Sequence, residues 1–448
     1  MSLRFCLLAV SALVLGVTGC KTEATVTQND TAVAGADAAG LQDLSGTSST
    51  DTLPSSPDST SDTGTPVGEP ACAPLAKDCK FIQQGCTLKD GKPKCTPCTE
   101  GQAPQGDLAV CAPIPGKVIA HDFGVLELEV AQEEDGWCQS FALNNAEELW
   151  VNAVEFISDG GYHHSNWFFV PEGSTQGTDP SGKPMEAPLG LWKNCYKEGF
   201  QEVSAALAGG VLFAQSTQVV RDVQKFGEGI AVRIPPWQRV IGATHLLNVY
   251  PNKLATRLRM RIYTVPAAEV KTKLTPFRFS YYDLHIPPKG NALVEGTCDF
   301  GPAHEKATFG KPFGLRLHYA LPHYHRLGTS FRLAYSGGPN DGKTIFEQGA
   351  FNPDPFGHVL EPPIDVSTGL TISCGFANPS DDEIIWGIGK NEMCVMLGFA
   401  ESAVAYDASV STSDSDVTKD GTRTLKGPCK VVGYPFLQDK AGGTPPKK

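Results

Sequence analysis

Leu258-Arg259-Met260-Arg261-Ile262-Tyr263 alternates apolar and basic side chains with a period of two. Successive side chains of a β-strand point to opposite faces, so this segment is expected to bury Leu258, Met260 and Ile262 and turn its arginines outward. Ala231-Val232-Arg233-Ile234 and Gly314-Leu315-Arg316-Leu317-His318 carry the same signature. Around them, short runs of Val, Ile, Phe, Leu and Thr end at Gly, Pro and Asp turns, the pattern of packed β-sheets. Only Gln201 to Leu207 reads as helix. The main region is long enough for two domains. Their expected boundary lies between Pro266 and Thr272, giving domains over 115–268 and 269–432, with a Pro/Lys-rich tail over 433–448.

The residues before this region indicate a compartment. Met1-Ser2-Leu3-Arg4 is a short basic start, and Phe5 to Val17 is mostly apolar but too short for a stable membrane anchor. Val17-Thr18-Gly19-Cys20 resembles a bacterial lipobox. The expectation is a signal peptide over 1–19 and lipidation of Cys20, with an ordinary secretory peptide as the competing reading. A lipid-anchored protein of the bacterial cell envelope follows, at the outer membrane and either periplasmic or surface-exposed. Residues 21–70 hold eight acidic side chains, one lysine and no Phe, Tyr or Trp. Such a stretch cannot bury enough apolar surface to fold and reads as a disordered tether reaching roughly 40 Å. It supplies more than half of the chain's net charge of −12, so the acidity belongs mainly to the tether and excludes nucleic acid as a partner.

Of the 14 cysteines, Cys6 leaves with the signal peptide and Cys20 takes lipid. Cys72, Cys79, Cys86, Cys95, Cys98 and Cys111 crowd among Pro, Gly, Lys and Thr. An exported context and an even count make them a small module over 71–114 held by three internal disulfides, with fifteen possible connectivities. Cys95-Thr-Pro-Cys98 as a zinc or redox motif is the weaker reading.

The chemistry lies in the histidines. In His323-Tyr324-His325 the two imidazoles sit at i and i+2, on one face of a strand, and can meet at one metal. Met393, in Asn391-Glu392-Met393-Cys394, offers a thioether, a soft donor suited to Cu(I). His163 and His164 are adjacent, so both can serve one metal only where the backbone is irregular; Gly160-Gly161 permits that. His245 lies between the two groups. Each element alone is more often a core or surface residue than a ligand. Gly337 to Thr344 satisfies the phosphate-loop pattern, but Gly349, Pro353 and Pro355 forbid the helix such a loop needs, and Asn340-Asp341-Gly342 reads as a hairpin turn. His121, His285, His304, His318 and His358 read as structural or exposed, with His318 the one nearest the motif.

The order of these residues resembles the copper type II, ascorbate-dependent monooxygenases, the family of peptidylglycine α-hydroxylating and dopamine β-monooxygenases. The resemblance spans roughly residues 115 to 430. It is carried by His323-Tyr324-His325-Arg326-Leu327-Gly328, by Cys374 with Phe376 and Asn378, by Trp386-Gly387 and by Glu392-Met393-Cys394. Trp137-Cys138, His163-His164 and Ala243-Thr244-His245-Leu246 extend it into the first half.

The resemblance implies two tandem jelly-roll-like β-sandwiches and two coppers per chain. His163, His164 and His245 would hold an electron-storing ion. His323, His325 and Met393 would hold the ion that meets O2 and substrate. The two sets are expected on opposite sides of a solvent-filled cleft. Ascorbate or another reductant would donate electrons, and the partners would be a small-molecule substrate and O2, with the protein a monomer. The expected disulfides are Cys374–Cys394, which would pin the Met393 loop, with Cys138–Cys195 and Cys298–Cys429. Three departures matter. The amidating branch has Arg where this chain has Leu321, and Asn and Tyr where it has Val395 and Leu397. That argues against a peptide carboxylate and for a neutral or partly aromatic substrate, unless Arg316 reaches the pocket. The competing class is a non-catalytic, surface-displayed β-sandwich lipoprotein that binds copper or glycan.

Overall fold

The computed structural model describes residues 68–172, 190–198, 200–216, 218–351, 357–387, 389–417 and 421–435. The expected signal peptide, Cys20, most of the expected tether and residues 436–448 lie outside them. The described chain is all-β: a small disulfide-rich module followed by two jelly-roll-like sandwiches.

The alternating segment behaves as its pattern requires. It lies in the strand Leu254–Thr264, with Leu258, Met260 and Ile262 fully buried. Its outward arginines do not face open solvent. Arg259 and Arg261 each reach Glu100 of the cysteine-rich module, at 2.7 and 2.8 Å.

In that module Cys72 pairs with Cys86, Cys79 with Cys95 and Cys98 with Cys111, so the six cysteines bond only among themselves. A short helix, Ala76–Phe81, precedes the hairpin Gln84–Lys89 and Lys92–Pro97. The hairpin turns on Asp90 and Gly91, both at positive φ, the turn that matches strand twist. The module is docked rather than tethered. Gly101 N–H donates to Glu155, Gln83 Nε2 donates to Asp222 at 2.8 Å, and the Phe81 ring stacks on His358 of the second sandwich at 4.3 Å.

Asp222 yields a pH prediction. It is 2% exposed, and burial pushes its carboxyl up to about 6. A raised carboxyl pKa means the folded state holds a proton that the unfolded chain has released. Stability should therefore fall as pH rises from about 4 to 6, by on the order of 2–3 kcal/mol, and level off above. Asp222→Asn keeps an acceptor for Gln83 and should remove this slope, as read by chemical denaturation between pH 4 and 7.

The first sandwich faces a five-stranded sheet against a six-stranded one. The five-stranded sheet runs in the order Gly210–Gln215, Tyr162–Pro171, Gln238–Leu247, Glu133–Ala142 and Lys193–Asn194. The second sandwich is a continuous path of ten strands, with an eleventh, Asp414–Val417, paired off it, because Arg423–Pro435 serves two sheets. Residues 423–428 pair in parallel with Gly290–Asp299, and residues 429–435 pair antiparallel with Val404–Val410. The chain passes from one sandwich to the other at Leu274, which packs in the first core, and Thr275, which opens the second sheet. The crossing thus falls just beyond the expected 266–272 segment, and the last strand runs to Pro435 rather than 432. The helix expected at Gln201–Leu207 is present as Glu202–Ala208, and Ala76–Phe81 and Gly301–Thr308 are further short helices that the periodicity does not announce. After Gly337 comes a single 3-10 turn, Gly338–Asn340, and then the strand Thr344–Gln348, so no phosphate loop forms.

Candidate metal centre

His323 ends the strand Leu315–His323, and His325 lies just past it. The i, i+2 spacing still turns both imidazoles the same way, while Tyr324 points into the second core and donates to Gly349 O at 2.9 Å. His325 is fixed by Glu392, which is fully buried and accepts from the backbone N–H of His325 and of Leu327, both at 2.8 Å. Burial pushes the Glu392 carboxyl up to about 7. Glu392→Gln retains one acceptor oxygen for two buried N–H groups. It should cost about 1–3 kcal/mol in denaturation experiments.

Two carbonyls set the histidine tautomers. A carbonyl can only accept, so His323 Nδ1–H donates to Ser216 O at 3.0 Å and His325 Nδ1–H donates to Asn391 O at 2.9 Å. Each ring then presents its Nε2 lone pair. The two Nε2 atoms are 3.3 Å apart.

His163 and His164 lie on Tyr162–Pro171 beside Gln238–Leu247. His245 is the register partner of His164 and Leu246 that of Tyr162, so His163 is the extra residue of a bulge. Gly160 and Gly161, at φ +97° and +79°, lead into it. The bulge lets neighbouring histidines share a side: the His163 ring is 5.4 Å from His164 and 5.1 Å from His245, centre to centre. His245 Nε2 lies 2.9 Å from Glu133 Oε1, and its Nδ1 is 3.0 Å from His164 Nε2. Glu133 therefore orients His245, and His245 orients His164.

The expected separation of the two sets is corrected here. All five imidazoles form one group. The His164 ring is 5.2 Å from His323 and 6.3 Å from His325, and His163 is 6.0 Å from His325. The cause is apolar packing between the sandwiches. Tyr319, Leu321 and Phe399 of the second pack into the core of the first, with Phe226 and Phe399 rings 5.3 Å apart. Ser216 ties the faces by donating to Pro322 O at 2.9 Å. Imidazole meets imidazole across the seam where a solvent-filled cleft was expected, with a cavity beside them.

Desolvation lowers the pKa of every ring, to about 3 for His163 and about 4 for His245, and well below the usual value for His164 and His323; His325 shifts the same way. The imidazoles are neutral near pH 7, the form that ligates metals. His163 Nδ1 is buried without a hydrogen-bond partner. Neutral rings, facing lone pairs and an orphaned nitrogen fit a soft or borderline ion such as copper.

A cavity of about 290 Å³ adjoins the cluster and is lined by Met393, His164, His245 and His323. Met393 thus shares a cavity with three of the imidazoles and lies on a loop pinned by Cys374–Cys394, whose α-carbons are 6.0 Å apart. Cys138–Cys195 and Cys298–Cys429 also pair as expected. Leu321, Val395 and Leu397, the three departures, all line the cavity. Arg316 does not reach it; it is exposed and paired with Asp365 at 2.8 Å. Polar groups unremarked in the sequence do: Glu202, accepting from Tyr196 and Asn166, and the Arg278–Asp407 pair. His318 is buried but stands apart, 3.8 Å from Glu401.

No family model matches this chain, and no curated protein does. Among solved structures it is similar to the major capsid protein P2 from Bacteriophage PM2, at 8% identity and a TM-score of 0.24 over 63% of this chain and 97% of that one. A likeness that slight carries no argument about the site.

Proposed function

We propose that this chain is a copper-dependent monooxygenase that hydroxylates a C–H bond of a small substrate, using O2 and an external reductant such as ascorbate. The observation that supports it is the convergence of five neutral imidazoles, drawn from both sandwiches, into one group, three of which (His164, His245 and His323) line a largely apolar cavity together with Met393. Copper, when bound, would supply one-electron chemistry and affinity for O2. His163, His164, His245, His323, His325 and Met393 are the residues that would hold it, as two ions on the family pattern.

The chain's own contribution is positioning and exclusion of water. The Ser216 and Asn391 carbonyls and the Glu133 carboxylate fix ring tautomers. Leu321, Val395 and Leu397 give the cavity an apolar wall, and the lining Arg278 is already paired with Asp407 rather than free to clamp a carboxylate. A neutral or partly aromatic substrate follows. Lipid attachment at Cys20 would hold the enzyme in a bacterial envelope, as a monomer.

The test is aerobic turnover of the copper-loaded protein with ascorbate and a panel of neutral apolar compounds. Mass spectrometry should find products heavier by one oxygen. Copper binding with no oxygen transfer across the panel would overturn the enzyme reading. It would leave a copper-holding lipoprotein, which the compactness of the single histidine group also favours.

A further inference from the structure

We propose that one late first-row transition ion is held jointly by His164 of the first sandwich and His323 and His325 of the second, so that the metal fastens the two sandwiches. This rests on the reading of the cluster as a copper site and revises which residues share an ion.

Three observations carry it. Ligand atoms of His164, His323 and His325 all lie within 4.8 Å of one another, close enough that a small side-chain adjustment brings all three to one ion. His323 Nε2 and His325 Nε2 are 3.3 Å apart. Two imidazole nitrogens bound to one ion at about 2.0–2.1 Å with tetrahedral angles stand about 3.3–3.4 Å apart, so this pair is already at chelating distance. Neither atom carries a proton, because each ring's hydrogen is committed at Nδ1 to a carbonyl. Two lone pairs face one another in a buried site, an arrangement that a cation between or beside them relieves.

The third observation concerns His164. It is held by the chain Glu133, His245, His164, with separations of 2.9 and 3.0 Å. His245 has one nitrogen engaged by a carboxylate and the other by a neighbouring ring. It is therefore the positioning residue of this set, and His164 the ligand that crosses the seam. Three imidazoles leave a fourth position open toward the cavity, the arrangement of a reactive rather than a sealed site.

The experiment is anaerobic titration of the full-length protein with Cu(I) against a chromophoric chelator, with Zn(II) as a second probe. The readouts are stoichiometry and affinity. His164→Ala, His323→Ala and His325→Ala should each weaken the tightest ion at least 100-fold, and His318→Ala should change nothing. The double variant His164→Ala/His323→Ala should lose no more ions than either single one. Hydrogen exchange should show metal-dependent protection of the 264–275 crossing, abolished by His164→Ala, or by His164→Gln should the alanine variant fold poorly. Loss of two independent ions in the double variant, one from each single substitution, would overturn the shared site while sparing the copper reading. Failure of the wild-type protein to bind either ion would overturn both.

Discussion

A Met393→Leu protein is expected to fold and to retain copper at its imidazoles, yet to lose substrate-dependent oxygen consumption altogether. Leucine matches methionine closely in volume, and such swaps usually cost less than about 1.5 kcal/mol. The backbone of the loop is held from both sides of the substituted residue. Glu392 binds it to the His325 turn, and Cys394 is bonded to Cys374. Only the sulfur is lost, and the thioether is the soft donor that would favour Cu(I). Denaturation curves, metal analysis and an oxygen electrode separate fold, binding and turnover. Full activity of this variant on an identified substrate would defeat the copper monooxygenase reading.

The second large effect lies far from the metal. Glu155 is fully buried, yet it accepts hydrogen bonds from Gly101 N, Arg221 Nε and Tyr263 Oη, and its carboxylate is 2.7 Å from Arg221 Nη2. Glu155→Ala would leave a guanidinium, a phenol and a backbone amide without their common acceptor. Removing one member of a buried ion pair typically costs about 3–5 kcal/mol. The loss should appear as a lowered denaturation midpoint, with earlier proteolysis of the cysteine-rich module, since Gly101 belongs to it. A change under 1 kcal/mol would mean that the docking depends on other contacts.

Sequence periodicity carried the architecture because burial on one face leaves a mark at every second residue, as at Leu258, Met260 and Ile262. The His163–His164 irregularity was legible for a similar reason: two glycines announce backbone that ordinary residues avoid. What governs the merged histidine group left no such mark. It depends on Tyr319, Leu321 and Phe399 packing across a seam into the first core, and an apolar strand residue looks the same whichever core receives it. The roles of Glu133, Glu202 and the buried Glu392 left no mark, because nothing local distinguishes a carboxylate that holds the site from the many on the surface. For Glu392 the signal was its place immediately before Met393 and Cys394, in the motif that carries the resemblance. Docking of the cysteine-rich module was invisible too, since Glu155 and Glu100 act across long sequence separations.

The strand shared by two sheets has a consequence for how the molecule is made. Residues 423–435 complete one sheet beside Gly290–Asp299 and the other beside Val404–Val410, and Cys429 bonds to Cys298 across 131 residues. Until that segment has emerged from the ribosome, neither sheet of the second sandwich has all its partners. Strand edges that stay open for so long invite pairing with other chains. The second sandwich is thus committed only once residues 423–435 have been made. His323 and His325 therefore reach their final geometry after the histidines of the first sandwich, and a metal held as proposed would be loaded only once residues 423–435 are in place.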